Sequence, residues 1–161
     1  MSEFEISSDD PRAPDVARLL ATHLVFARQW SLPEDVHILD ADQLMADDVF
    51  FFTARRSSEL VGVGALRQLD TEHVEIKSMH TVATARGQGV GKAMLDHLVT
   101  TAGVRGYLRI SLETGLQEVF APARRLYRNG GFETCQPFGD YQFSADSVYM
   151  TRSLTCSDRK F

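Results

Sequence analysis

The stretch Arg86-Gly87-Gln88-Gly89-Val90-Gly91-Lys92 decides how this chain is read. It lies between a strand-like run, residues 74–82, and a helix-like run, residues 90–104. A glycine-rich turn that opens a helix leaves several backbone N–H groups without intrahelical acceptors at the positive end of the helix dipole. Such a turn binds anions, phosphates above all. Glycines let the main chain approach a pyrophosphate closely, and Arg86 and Lys92 add positive charge toward the same anion. Two nucleotide-binding motifs fail here. A Walker A loop needs Gly where Arg86 stands and Ser or Thr where Ala93 stands. A dinucleotide fingerprint needs G-x-G-x-x-G, whereas Gly87, Gly89 and Gly91 make G-x-G-x-G in mid-chain.

Outward from this turn, residues 74–83 read as the third strand of a meander whose other strands span 49–55 and 60–69, joined by a polar turn at 56–59. Upstream lie a short strand at 4–7 and a long amphipathic helix at 13–29, in which Val16, Leu19, Leu20, Leu24 and Ala27 recur at helical spacing. A loop at 31–40 and a short helix at 41–45 lead into the meander. Downstream, the helix after the glycine turn carries Val90, Met94, Leu95, Leu98, Val99 and Ala102 on one face and stops at Gly103 and Gly106. Then come a strand at 107–113, a helix at 122–129 closed by Gly130 and Gly131, two strands at 132–137 and 147–154, and a loose end at 155–161. This order predicts one α/β domain over residues 1–154, with a mixed, mostly antiparallel central sheet flanked by helices.

A chain of 161 residues is long enough to bury its own core. The net charge of −5 offers no basic footprint for nucleic acid. Its two cysteines, Cys135 and Cys156, form neither a metal-ligand spacing nor a disulfide framework, which fits a reduced, cytoplasmic setting. No run reaches the ~18 apolar residues of a membrane span, and the acidic N-terminus is unlike a signal peptide.

What remains for the glycine turn is R-x-x-G-x-G, made by Arg86, Gly89 and Gly91. It resembles the acyl-CoA pyrophosphate loop of the GNAT superfamily of N-acetyltransferases. The preceding Glu75-Ile76-Lys77-Ser78-Met79-His80-Thr81 resembles the central strand that leads into that loop. Further on, Ala123-Arg124-Arg125-Leu126-Tyr127-Arg128-Asn129-Gly130-Gly131-Phe132 is similar to the family's A-x-x-L-Y-x-x-x-G-F helix and exit turn. The segment from Cys135 to Tyr141 and the ending Ser147-Val148-Tyr149-Met150 resemble one bacterial subgroup of these acetyltransferases. Two departures stand out. Phe120 occupies the place where many members carry an Asn that contacts the cofactor, and Ala83 stands where Pro is common.

The resemblance implies a GNAT-like fold and transfer of the acetyl group of acetyl-CoA, without a metal, directly to a small-molecule amine. Acetylation of a protein or peptide, and CoA binding by a non-catalytic sensor module, are the alternatives. It places acetyl-CoA against Arg86, Gly87, Gln88, Gly89, Val90, Gly91 and Lys92, with the strand backbone at Met79, His80 and Thr81 holding the pantetheine and thioester. Tyr127 matches the tyrosine whose phenol lies near the cofactor sulfur, a general acid, and Glu75 matches a position that serves some members as general base. A strand period of two puts Glu75, Lys77, Met79 and Thr81 on one face and His80 on the other, where a packing role is expected. His23 is read as structural. Trp30, His37, Phe138, Asp140 and Tyr141 are candidates to shape the acceptor pocket. Family members are often dimers, so a homodimer is one option.

Overall fold

A computed structural model describes residues 3–159. The elements run β1 (Glu5–Ser8), α1 (Pro14–Trp30), β2 (Val49–Arg56), β3 (Glu59–Gln68), β4 (His73–Thr81), α2 (Val90–Val104), β5 (Arg109–Gly115), α3 (Ala121–Asn129), β6 (Glu133–Cys135) and β7 (Ser147–Ser153). The seven strands form one sheet in the order β1-β2-β3-β4-β5-β7-β6. Every neighbouring pair is antiparallel except β4 and β5. This is the mixed sheet expected from the sequence. The short helix expected at 41–45 is a tighter 3-10 turn, Gln43–Met45, and the expected loop before it carries another, Pro33–Asp35.

Two apolar clusters flank the sheet. On one face Val90, Met94 and Leu98 of α2 pack with Leu66, Ile76, Ile110 and Leu112. On the other, Val16, Leu19 and Leu20 of α1 pack with Phe51, Val63 and Ala65. Each buried aliphatic side chain of α1 contributes about 1.5–3 kcal/mol relative to exposure. The same helical stripe continues into His23, Phe26 and Ala27, which face a cavity instead of the core. One half of α1 thus anchors the helix while the other half is left to meet a ligand.

The segment expected to be loose, 155–161, makes a 3-10 turn at Cys156–Arg159. The Asp158 carboxylate accepts from Arg152 at 2.6 Å and from the Thr155 N–H at 2.7 Å. Gly103 lets this turn approach α2, since a Cβ there would lie 2.6 Å from the Asp158 carbonyl oxygen. Residues 160–161 of that expectation lie outside the described residues.

The most consequential local feature is in β4. Lys77 pairs with Ala65 and His80 with Val63, so two residues of β4, Ser78 and Met79, stand against the single Gly64. That is a β-bulge, which bends its strand and raises the twist. Ser78 adopts φ 58 to make it, and its buried hydroxyl has no hydrogen-bond partner among the described residues. Because the extra residue resets the alternation, His80 lies on the face of Glu75 and Lys77. The expectation that it points away from Glu75 is overturned here, since a period of two holds only along an unbulged strand. A β-branched residue at this left-handed backbone is strained. Ser78→Val is expected to lower the unfolding free energy by about 1–3 kcal/mol, with Ser78→Gly near neutral, as read by urea titration.

Candidate active site

β4 and β5 pair through only three residues each: His73 with Arg109, Val74 with Ile110, and Glu75 with Ser111. Beyond them the strands part, while β5 continues to pair with β7 as far as Gly115. Ladder hydrogen bonds that β4 would make on this side are therefore open. The Val82 N–H donates to Val61 of β3. By strand alternation the N–H groups of Thr81 and Met79 point the opposite way, into the gap.

A cavity of about 720 Å³ occupies this gap. Its lining comes from both faces of the sheet: Met79, Leu112 and Tyr127 from the α2 and α3 side, and Glu75, Lys77 and His80 from the α1 side. At one end stands the glycine turn. Gly89 is the N-cap of α2 at φ 87, with no side-chain cap, and Gly87 has φ 76. Among the described residues no acceptor takes the N–H groups of residues 87–92; the first bond of the helix is from the Ala93 N–H to the Gly89 carbonyl, 3.0 Å. Arg86 is exposed, and its guanidinium has no ion-pair or hydrogen-bond partner among the described residues. Lys92 is held 2.8 Å from Asp96, an exposed pair of small energetic weight. This end of the cavity presents unpaired amides with a free guanidinium beside them, an arrangement suited to an anion.

Every residue named for the cofactor from the sequence lines the cavity apart from Gln88, whose side-chain amide donates to the Thr84 carbonyl. Tyr127 is buried under α3, and its hydroxyl meets a sulfur acceptor, Met79 Sδ, at 3.9 Å. Burial, with the charge of Glu113, pushes the phenol up to about 12. It keeps its proton and stands as a donor at the centre of the gap.

Glu75 also lines the cavity, and its surroundings commit it. Tyr141 donates to Glu75 Oε2 at 2.5 Å, and the Lys77 ammonium lies 3.3 Å from the same oxygen. Lys77 also donates to Tyr141 Oη at 2.7 Å and to the His37 carbonyl at 2.9 Å. Burial and the neighbouring carboxylates Glu75 and Glu113 push the Tyr141 phenol upward, so it stays a donor. His37 and Tyr141 meet edge to face with ring centroids 4.9 Å apart. Of the other residues considered for the acceptor pocket, Trp30, Phe138 and Asp140 do not reach the lining.

A second carboxylate stands across the gap. Glu113 on β5 shares the face of Ser111, the register partner of Glu75. It accepts one hydrogen bond, 2.9 Å from the Ser147 hydroxyl. Burial raises it to about 7, against the lowering effect of that bond and of Lys77. Sequence reading did not single it out. The available signal was positional: Glu113 lies near the carboxyl end of β5, which runs parallel to the strand of Glu75, and ligands gather beyond the carboxyl ends of such strands.

His23 of α1 and His80 meet Nδ1 to Nδ1 at 3.0 Å, one ring donating and the other accepting. Burial lowers His23 to about 3, with the neighbouring His80 adding to it; burial and Arg86 lower His80 to about 4. Both are neutral at pH 7. They join α1 to the bulge and carry no charge into the cavity. Phe26 meets Phe120 edge to face, 5.7 Å between centroids. The aromatic residue that replaces the family's Asn thus forms a wall with α1.

Comparison with known proteins agrees with this geometry. The family model of the acetyltransferase (GNAT) family matches residues 16–132. The chain is 44% identical over 151 residues to the uncharacterized N-acetyltransferase YsnE of Bacillus subtilis (strain 168), covering 94% of this chain and 100% of that one. A crystal structure from Klebsiella pneumoniae, provisionally described as an acyl-CoA N-acyltransferase, superposes with a TM-score of 0.80 at 27% identity, covering 94% of this chain and 98% of that one. A GNAT family acetyltransferase of Elizabethkingia anophelis with acetyl-CoA bound shares the fold at 20% identity and a TM-score of 0.70, over 96% of this chain and 100% of that one. With the loop, the parted strands and the matched family model all in place, the chain belongs to the acetyltransferase (GNAT) family and is an N-acetyltransferase.

Proposed function

We propose that this chain transfers the acetyl group of acetyl-CoA directly to the amine of a small molecule bound in the same cavity. Acetyl-CoA supplies an activated acetyl thioester; the chain's residues bind it, orient it and move protons. The uncapped amides of residues 87–92 and the free Arg86 hold its diphosphate, and the Met79 and Thr81 N–H groups receive the pantetheine and the thioester carbonyl.

Glu113 is the general base. An acceptor amine arrives as an ammonium and must lose a proton before it attacks. A carboxylate with a pKa of about 7 is matched to that task near neutral pH. Glu75, the base expected from the sequence, is instead the anchor of the Lys77–Tyr141 network. Freeing it would break a buried ion pair, a loss of about 3–5 kcal/mol. Tyr127 hydrogen-bonds the departing sulfur, the kind of atom its hydroxyl already faces.

The small-molecule reading rests on one observation. Lys77 ties the loop at His37 to the loop at Tyr141 across the acceptor side. An extended peptide spans roughly 3.3 Å per residue and needs an open trench; here the two loops touch.

Glu113→Gln is expected to lower kcat/KM by about 10²–10⁴-fold. In the parent protein, activity should fall as the pH drops below about 7, because the base is then protonated; the variant should lose that limb of the profile. Glu75→Gln should instead reduce stability and keep the limb. The reverse pattern would return the base role to Glu75. Tyr127→Phe should slow turnover by about 10²-fold with little change in acetyl-CoA affinity, measured by calorimetry. Gly89→Leu, at φ 87 where a Cβ meets nothing within 4 Å, should abolish acetyl-CoA binding while circular dichroism stays native. Retained binding would show that the diphosphate sits elsewhere.

A further inference from the structure

Resting on the acetyl-transfer reading, we propose that the acceptor is a primary amine on a compact, flat apolar arm that carries no carboxylate. The first support is the inventory of charge on the acceptor side of the cavity. Three carboxylates line it, Asp35, Glu75 and Glu113, and one ammonium, Lys77. That ammonium is already engaged: it donates to Tyr141 Oη and to the His37 carbonyl and pairs with Glu75 at 3.3 Å. The two inner histidines bond each other and are neutral at pH 7. At the mouth, burial and Lys77 lower His37, against the pull of Asp35 and Glu75, so it adds no cation either. Arg86 stands at the glycine turn, at the diphosphate end. Arg67 lies outside the lining and faces Asp48 at 3.8 Å. With Lys77 and Glu75 cancelling, Asp35 and the ionised fraction of Glu113, whose carboxyl is raised to about 7, leave the acceptor side negative.

The consequence is selective. An incoming ammonium is attracted and finds Glu113 waiting. A carboxylate on the same molecule would be stripped of water beside like charges with no cation to meet it, which is costly. Amino acids are therefore disfavoured against the corresponding amines.

The second support is the shape and chemistry of the walls. On one side Phe26 and Phe120 stand edge to face, with Phe26 also 6.3 Å from the His80 ring. Gly115 makes room for the Phe120 ring, which occupies the space a Cβ there would need. On the other side are the rings of His37 and Tyr141. Aromatic walls on two sides favour a flat arm, which gains ring contacts that an alkyl chain cannot make.

The test is acetyl-CoA-dependent thiol release by the full chain with four probes: 2-phenylethylamine, L-phenylalanine, n-propylamine and a short peptide with a free N-terminus. 2-Phenylethylamine shares its arm with phenylalanine and lacks the carboxylate; n-propylamine keeps the amine and lacks the ring. The expected kcat/KM for 2-phenylethylamine exceeds those of the other three by about tenfold or more. Asp35→Asn should narrow the gap to phenylalanine severalfold, and Phe26→Ala should narrow the gap to propylamine. Phenylalanine or the peptide turned over as well as 2-phenylethylamine overturns the charge selection, and propylamine turned over as well overturns the flat arm. Acetyl-CoA binding without acetylation of any probe overturns the transfer reading itself, a separable failure.

Discussion

The molecule depends on how short the parallel pairing between β4 and β5 is. Three residues of each strand are joined, His73–Glu75 to Arg109–Ser111, and then the ladder stops. Buried backbone polar groups are almost always satisfied, so a seam left open in the middle of a seven-stranded sheet calls for a ligand that supplies the missing partners. The bulge at Ser78 bends β4 away while β5 stays paired with β7 on its other edge. One irregular residue in a strand therefore makes a cavity that both faces of the sheet line. In the proposed reaction the cofactor and acceptor meet there, with neither having to pass through the packed core.

Two of the carboxylates that line this opening have surroundings that separate their roles. Glu75 is 2% exposed and holds a phenol and an ammonium. Glu113 holds a single serine hydroxyl. A buried ion pair costs about 3–5 kcal/mol to break from one side, whereas a single hydroxyl hydrogen bond to a carboxylate contributes about 1.5–3 kcal/mol. The first arrangement makes a clamp across two loops. The second leaves a carboxylate that burial, with the charges of Glu75 and Asp35, raises to about 7 and that is free to exchange its proton. The histidine pair has a third role: it joins α1 to the bulge and keeps the cavity wall neutral.

Much of this was legible in the chain. The glycine turn into α2, the meander before it, and the Leu126-Tyr127 helix with its Gly130-Gly131 exit follow from local rules, since glycine frequency, capping and hydrophobic period act over a few residues. The stripe of α1 was legible too, and its change of partner from core to cavity was not, because nothing in the residues 16–27 states what lies opposite. The strand face of His80 was misread for a similar reason. A bulge is recorded in the register between two strands, and Ser78 by itself carries no mark of it. The C-terminal turn depends on Arg152, six residues before Asp158, and on Gly103, which lies far back in the helix the turn packs on.

The residues alone carried the element order and, through motifs that resemble the family's, the family, and they marked the glycine turn and Tyr127 as candidates, because these signals are local. Tertiary structure decided the chemistry of the carboxylates. Glu113 and Glu75 are acidic residues on strands in either account, and their difference arises from what burial and neighbours on β7, the 31–38 loop and the 138–141 loop do to each charge. Electrostatic roles are set by surroundings through space, and those surroundings come from parts of the chain far apart in sequence.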